Sequence, residues 1–180
     1  MKEKDNRLVC SEDKKRALRE TRLKTKSRRA NQIVRIFECK LKLSKLSRRQ
    51  KEELEKIFIE AKWFYNHVLN LRNEQECNLC NINSTDISKV IHFDKDKNEI
   101  ESELEILSSQ QKQKIIANMI SNEKAIKTLV KRGYQKHGNL QFKSEVNCIP
   151  LKQYNNSYLF KSFHRVRIAG ISGKLYVNGT

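Results

Sequence analysis

The order of apolar and polar positions divides the chain into recognisable elements. From Phe37 the pattern alternates, with Phe37, Cys39, Leu41 and Leu43 on one side and Glu38, Lys40 and Lys42 on the other. Alternation of that kind predicts a half-buried strand within residues 33–43. Ser47-Arg-Arg-Gln50 then has the spacing of a capping box, in which a hydroxyl and an amide satisfy the free N–H groups of a helix start. The helix behind it is predicted to run to about Arg72, with Leu54, Ile57, Phe58, Ala61, Tyr65, Val68 and Leu69 recurring at three- and four-residue spacing. Trp63 and Phe64 fall beside or across from that stripe. Packing on a second element is expected of them, with an exposed stacking platform as the alternative for Trp63. Residues 73–100 are polar and rich in Asn, which predicts a connecting segment with one short element at 87–93. Ser108-Ser-Gln-Gln111 repeats the capping-box spacing. Ile115, Met119, Ile126, Leu129 and Val130 place a second helix behind it, running to Arg132 and stopping at Gly133 as C′.

Beyond Leu140 the period falls to two. Residues 140–144, 157–160, 165–168 and 174–177 read as short strands, with Asn155, Asn156, Gly170 and Gly173 marking turns and the single proline, Pro150, in a connection. Short strands with close turns predict a small barrel or curled sheet. The early strand has the pattern to pair with them. The expected fold is therefore α+β, a small β-barrel interrupted by a helical insertion.

Charge changes the picture from fold to partner. Over 180 residues Lys plus Arg is 38 and Asp plus Glu is 21, a formal net charge of +17. The excess is uneven: residues 1–30 hold 12 basic side chains against 5 acidic, and residues 106–180 hold 13 against only Glu123 and Glu145. A polyanion is the implied partner, nucleic acid before an anionic membrane surface. The first 32 residues read as a basic, mobile arm whose stretch from Lys14 to Arg29 has helical composition. Lys112, Lys114, Lys124, Lys127 and Lys131 line one face of the second helix; such a row is usually a solvated face, but with Glu123 the one acid among them it is also a candidate for tracking phosphates. No run of about 18 apolar residues marks a membrane span, and the charged N-terminus is unlike a secretory leader.

The same counts bear on catalysis. Hydrolytic metal sites need several carboxylates gathered from different elements, and the last 75 residues offer two. The dense run Asp94, Asp96, Glu99, Glu101, Glu103 and Glu105 reads as a solvated loop entering a helix. Five cysteines (Cys10, Cys39, Cys77, Cys80 and Cys148) are an odd, scattered set, which predicts free thiols in a reducing, cytoplasmic compartment. Cys77 and Cys80 form one CxxC; a zinc site usually needs a second pair, so an ordinary loop is expected, with a zinc or redox pair as the alternative. No cofactor is expected.

One resemblance is carried by an ordered set of motifs. These are Ala61-Lys-Trp-Phe-Tyr-Asn-His-Val-Leu-Asn-Leu-Arg72, Leu107-Ser-Ser-Gln-Gln-Lys-Gln113, Gly138-Asn-Leu-Gln-Phe-Lys-Ser144, Ile149-Pro-Leu-Lys-Gln-Tyr154 and Arg165-Val-Arg-Ile-Ala-Gly-Ile-Ser-Gly-Lys174. In this order, over residues 33–180, they resemble the N-terminal half of the TnpB (OrfB) transposase-associated proteins. That family consists of RNA-guided DNA endonucleases of insertion sequences, related to the type V CRISPR effectors.

The resemblance implies that residues 33–46 and 140–180 form a wedge-like barrel and that 47–139 form the recognition lobe inserted in it. It implies guide-type RNA and double-stranded DNA as partners. By position, Gln110, Lys112, Gln113, Lys152 and Gln153 match the neighbourhood that contacts the target-adjacent duplex, and Arg165 and Arg167 complete the expected nucleic-acid set. Lys and Gln suit that task, since they contact phosphates and base edges. The family's nuclease domain and zinc knuckle have no counterpart here, and Cys77 and Cys80 do not match the knuckle. The usual proline before the first helix is absent around Leu46 and Ser47, and the basic arm extends beyond the resemblance. The expectation is a nucleic-acid-binding portion of a transposon-encoded protein that does not itself cut. A stand-alone regulatory protein and an enzyme in its own right are the alternatives.

Overall fold

Ser47 and Ser108 each open a long helix, and these two helices organise everything between residues 39 and 178. The structure is a computed structural model and describes residues 12–30, 38–74, 78–93, 96, 98–134 and 138–178. It divides into two units, one up to Glu38 and one from Cys39 onward.

In the first unit, helix α1 spans Glu12–Ala30. Lys14 to Arg29 is thus helical, as its composition suggested, while residues 1–11 and 31–32 of the expected arm lie outside the described residues. The described α1 side chains are exposed except that of Thr25, which is half-buried. Local contacts within α1 include Arg16 with Glu20 at 3.5 Å and the Thr21 hydroxyl donating to the Ala17 carbonyl.

The second unit is α+β. Strand β1 is only Lys40–Leu41, followed by a 3-10 turn at Leu43–Lys45, helix α2 at Arg48–Glu74 and a second 3-10 turn at Leu79–Asn81. Then come β2 (Lys89–Phe93), β3 (Glu99–Glu103), helix α3 (Ser109–Lys131), β4 (Tyr158–Ser162), β5 (Arg165–Ile168) and β6 (Leu175–Asn178). Strands β2 and β3 form an antiparallel hairpin, and the other four form a sheet in the order β1-β6-β5-β4. The early strand does pair with the late ones, with Lys40 opposite Asn178 and Leu41 opposite Val177. Among the described residues β1 and β4 are the two ends of this sheet and are not paired with each other.

Both capping boxes form. Gln50 N–H donates to the Ser47 hydroxyl at 3.2 Å, and the Gln50 amide oxygen accepts from Ser47 N–H at 3.0 Å. Ser108 and Gln111 repeat the exchange at the start of α3. At the other end Gly133 adopts φ +75°, the left-handed value that favours glycine. Its N–H donates to the Val130 carbonyl and Tyr134 N–H to the Leu129 carbonyl, so α3 ends in a Schellman motif.

Three sequence expectations are corrected. Of the strand predicted within 33–43, residues 33–37 lie outside the described residues, Cys39 is exposed and only Lys40–Leu41 is strand: after Lys42 N–H bonds the Tyr176 carbonyl the chain turns, and Leu43 is left 64% exposed. Residues 140–144 do not join a sheet; their backbone is held by a side chain instead, because Asn66 donates to the Lys143 carbonyl and accepts from its N–H. The acidic run is not simply a loop, since Glu99, Glu101 and Glu103 lie on β3 opposite Phe93, Ile91 and Lys89.

Two apolar clusters form the interior. The larger gathers Ile57, Ala61, Phe64, Tyr65, Val68 and Leu69 of α2 with Leu79, Ile87, Val90, Leu107, Ile115, Ile116 and Met119. The smaller joins Leu46, Val166, Ile171, Leu175 and Val177 beneath the sheet, and Leu54 packs on both. A polar residue sits in the middle of the apolar stripe: Glu60 is fully buried and accepts backbone N–H groups from Glu105, Ile106 and Leu107 at 2.8–3.3 Å. Arg72 bonds Glu123 at 2.7 Å and ties the end of α2 to α3. Burial raises the Glu123 carboxyl, but hydrogen bonds from Arg72 and Lys127 outweigh it, and the group ends below its ordinary value.

The hairpin is fastened to α2 through a histidine. His67 Nδ1 accepts the Ile91 N–H at 3.3 Å, which requires a neutral ring. Burial lowers its pKa below the ordinary 6.5, with the Glu74 charge opposing. The folded state therefore binds this proton less readily than the unfolded chain, and stability falls as pH drops below about 6.5 toward the folded value. Urea midpoints measured at pH 7.5 and 5.5 should separate more for the native chain than for His67→Gln. Equal separations would show that His67 is not the linked group.

Candidate nucleic-acid interface

Side chains on β5 and β6 alternate between the buried cluster and the outer face of the sheet. Val166, Leu175 and Val177 go inward, which sends Arg165, Arg167 and Tyr176 outward. Arg165 pairs with Tyr176 across the strands, and its guanidinium carbon lies 5.1 Å from the Tyr176 ring centroid. Lys45 reaches the same ring, with its Nζ 5.9 Å from the centroid. Lys40, on the outer edge strand, sits opposite Asn178. Lys40, Lys45, Arg165 and Arg167 are exposed, and among the described residues none is ion-paired with a carboxylate. A sheet face that presents such cations beside an aromatic ring can meet both phosphates and a base face.

The residues at the start of α3 divide. Gln113 is exposed, and Lys152 Nζ donates to its amide oxygen at 3.5 Å, so two positions singled out from separate motifs meet in space. Gln153 is in the turn that follows, at φ +68°, where its carbonyl accepts from Ser157 N–H and its side chain from Asn156. The Ser157 hydroxyl closes that turn onto the Lys152 carbonyl. Gln110 is half-buried, with an amide oxygen that has no partner among the described residues.

Lys112 is the correction. Its ammonium was expected to reach a phosphate, but the residue is 8% exposed and its Nζ donates to the Ile87 carbonyl at 2.9 Å. Burial lowers its pKa, with the Glu60 charge opposing. The first turn of α3 lies beneath the base of the hairpin, so a lysine on that side is turned inward. Replacing it would act through stability rather than through a lost phosphate contact.

Tyr176, Lys40 and Lys45 were missed because their role depends on register. Alternation in Lys174-Leu-Tyr-Val177 puts Tyr176 on the outer face, but nothing local says that Arg165 lies beside it. Trp63 is half-buried against the larger cluster, and its ring stacks on His92 with centroids 3.9 Å apart and planes 5° from parallel. Cys80 is exposed in the second 3-10 turn, and Cys77 lies outside the described residues. Among the described residues, no group of three or more His, Cys, Asp or Glu side chains is placed to hold a metal ion, and no helix is long and apolar enough to cross a membrane. Comparison with protein-family models, curated proteins and solved structures finds no match.

Proposed function

We propose that this chain binds nucleic acid, as the recognition portion of a TnpB/OrfB-like transposon-encoded protein that holds a guide-type RNA and contacts a target-adjacent DNA duplex. The observation that carries the reading is the outer face of the sheet, where Arg165 and Lys45 flank the Tyr176 ring and Arg167 and Lys40 share the face, none of them ion-paired with a carboxylate among the described residues. The net charge of +17 supports it. In this reading the open sheet β1-β6-β5-β4 is the wall of the wedge barrel, residues 47–139 are the recognition lobe, and Gln113 with Lys152 and Gln153 forms the duplex contact. Its part is binding rather than cutting. Of the two acids after residue 105, Glu123 is engaged by Arg72 and Lys127, and Glu145 is exposed and bonded by Asn147.

Affinity for a structured RNA or a DNA duplex should fall steeply with salt, because each lysine or arginine on a phosphate releases counterions. Replacing Arg165 and Arg167 together with Ala should flatten the plot of log K against log salt by about two units. Replacing Gln113 and Lys152 should weaken duplex binding more than replacing Lys2 and Lys4. A slope unchanged by the arginine pair would remove the sheet face from the interface, and affinity flat in salt would remove nucleic acid as the partner.

A further inference from the structure

A second feature lies away from the sheet. A groove of about 540 Å³ runs along α2 between the hairpin and residues 142–144. Its floor is the row Lys62, Asn66, Asn70 and Glu74, four residues apart and so on one side of the helix, covering about 18 Å of its length. Its walls carry apolar side chains that the fold leaves uncovered: Phe93 is 64%, Phe142 57% and Ile91 47% exposed. The groove is built in advance of any ligand. Asn66 pins residue 143 to α2 with two backbone hydrogen bonds, and His67 pins the hairpin.

We propose that this groove takes an unpaired nucleobase from a single strand of RNA or DNA, with its phosphate toward the Lys62 end. The inference rests on the nucleic-acid reading above but concerns a different site. The pattern of surfaces selects the occupant. The floor amides are already engaged, Asn66 by the backbone of residue 143 and Asn70 by Glu74, and an apolar peptide would set its side chains against the charged ends of the row, Lys62 and Glu74. A nucleobase is a flat ring with apolar faces and a polar edge, which matches exposed phenylalanine walls with carboxylates at one end of the groove. Lys62 at one mouth suits the phosphate, while the Lys143 ammonium lies 4.5 Å from the centroid of the Tyr65 ring. At the other end Glu74 and Glu99 repel phosphate and accept from ring and amino N–H groups. The two acids thus set the direction of the strand and favour bases that carry an amino group. Base stacking on aromatic side chains tolerates any sequence, and the acceptor end adds a preference.

The test uses the full chain and a short single-stranded oligonucleotide with one 2-aminopurine, whose fluorescence is quenched by stacking. Binding should quench the probe. Phe93→Ala with Phe142→Ala should abolish the quench at saturation and weaken the oligonucleotide by roughly tenfold or more. The same pair should leave affinity for a fully paired duplex unchanged. Arg165→Ala with Arg167→Ala should weaken all binding yet keep the quench at saturation. Both rings are exposed, so the Ala pair should melt with the native chain; if it does not, the Leu pair reports the loss of the rings at conserved apolar bulk. Intact duplex binding with a quench indifferent to Phe93 and Phe142 overturns the groove alone. Loss of self-association in the Phe93/Phe142 variant without a change in quench assigns the groove to a second copy of the chain and overturns it too. Absence of binding to any nucleic acid overturns both readings.

Discussion

Replacing Glu60 with Ala should destabilise the second unit by about 3–5 kcal/mol, a large share of what holds a domain of this size together. The carboxylate is fully buried and accepts N–H groups from three consecutive residues, Glu105, Ile106 and Leu107. Those residues lead straight into the Ser108 cap, so Glu60 extends the satisfaction of free donors back from the helix start. Alanine would leave three oriented donors without their acceptor, the Leu107 N–H buried and the Glu105 and Ile106 N–H groups partly so, each costing about 1–3 kcal/mol where no water reaches it. Glutamine keeps one acceptor but turns an amide donor toward donors, and should fall between the two. Urea unfolding of the three proteins at neutral pH checks the order. A midpoint for Glu60→Ala within error of the native chain would mean that the entry to α3 repacks freely.

Gly170→Ala should be nearly as damaging, at roughly 2–4 kcal/mol. The residue has φ +87°, which glycine adopts without strain. Space is the larger obstacle. A Cβ there would lie 2.6 Å from the Ile106 carbonyl oxygen and 2.7 Å from its Cγ2, with Ile57 Cδ1 at 3.2 Å. The backbone oxygen belongs to the segment that Glu60 holds, so it cannot move aside cheaply. Just beyond, Ser172 N–H donates to Glu53 at 2.7 Å and Gln50 donates to the Ser172 carbonyl, which fixes the turn on α2. The Ser172 N–H and Arg49 hold the Glu53 carboxyl below its ordinary value. Thermal melting checks the effect, and an unchanged melting temperature would count against this close approach. Gly173→Ala is the comparison: it shares a positive φ but meets only the Gln50 amide at 3.4 Å, so its loss should be smaller.

Much of the fold was legible because its signals are local. The capping boxes at Ser47 and Ser108, the stripe from Ile57 to Leu69 and the stop at Gly133 each depend on residues within a few turns of one another. The late strands followed from their alternation and turns. What could not be read depends on distant partners. Glu60 has the charge of a surface residue and is buried because donors from 105–107 arrive at it. Lys112 belongs, by composition, to a lysine row and is turned inward because Ile87 crosses its position. Residues 140–144 alternate like a strand but meet the Asn66 amide in place of a ladder. The proposed site divides in the same way. Arg165, Arg167, Gln113 and Lys152 could be singled out by their place in the motifs that carry the resemblance, whereas the setting of Tyr176 and the Phe93–Phe142 groove exist only once strands and helix are assembled.

The pairing of β1 with β6 has a consequence for how the chain is made. Lys40 and Leu41 are near the start of the second unit, while Val177 and Asn178 are at its far end. Helix α2, the hairpin and α3 can associate as soon as they are synthesised, since their partners lie between them. The sheet cannot gain β1 until the last strand exists, and that closure spans nearly the whole unit. Long-range pairings of this kind form late and slowly. Until then Lys40 and Leu41 are an unpaired strand edge, so the order of synthesis leaves the sheet to be completed last, after the helical part is in place.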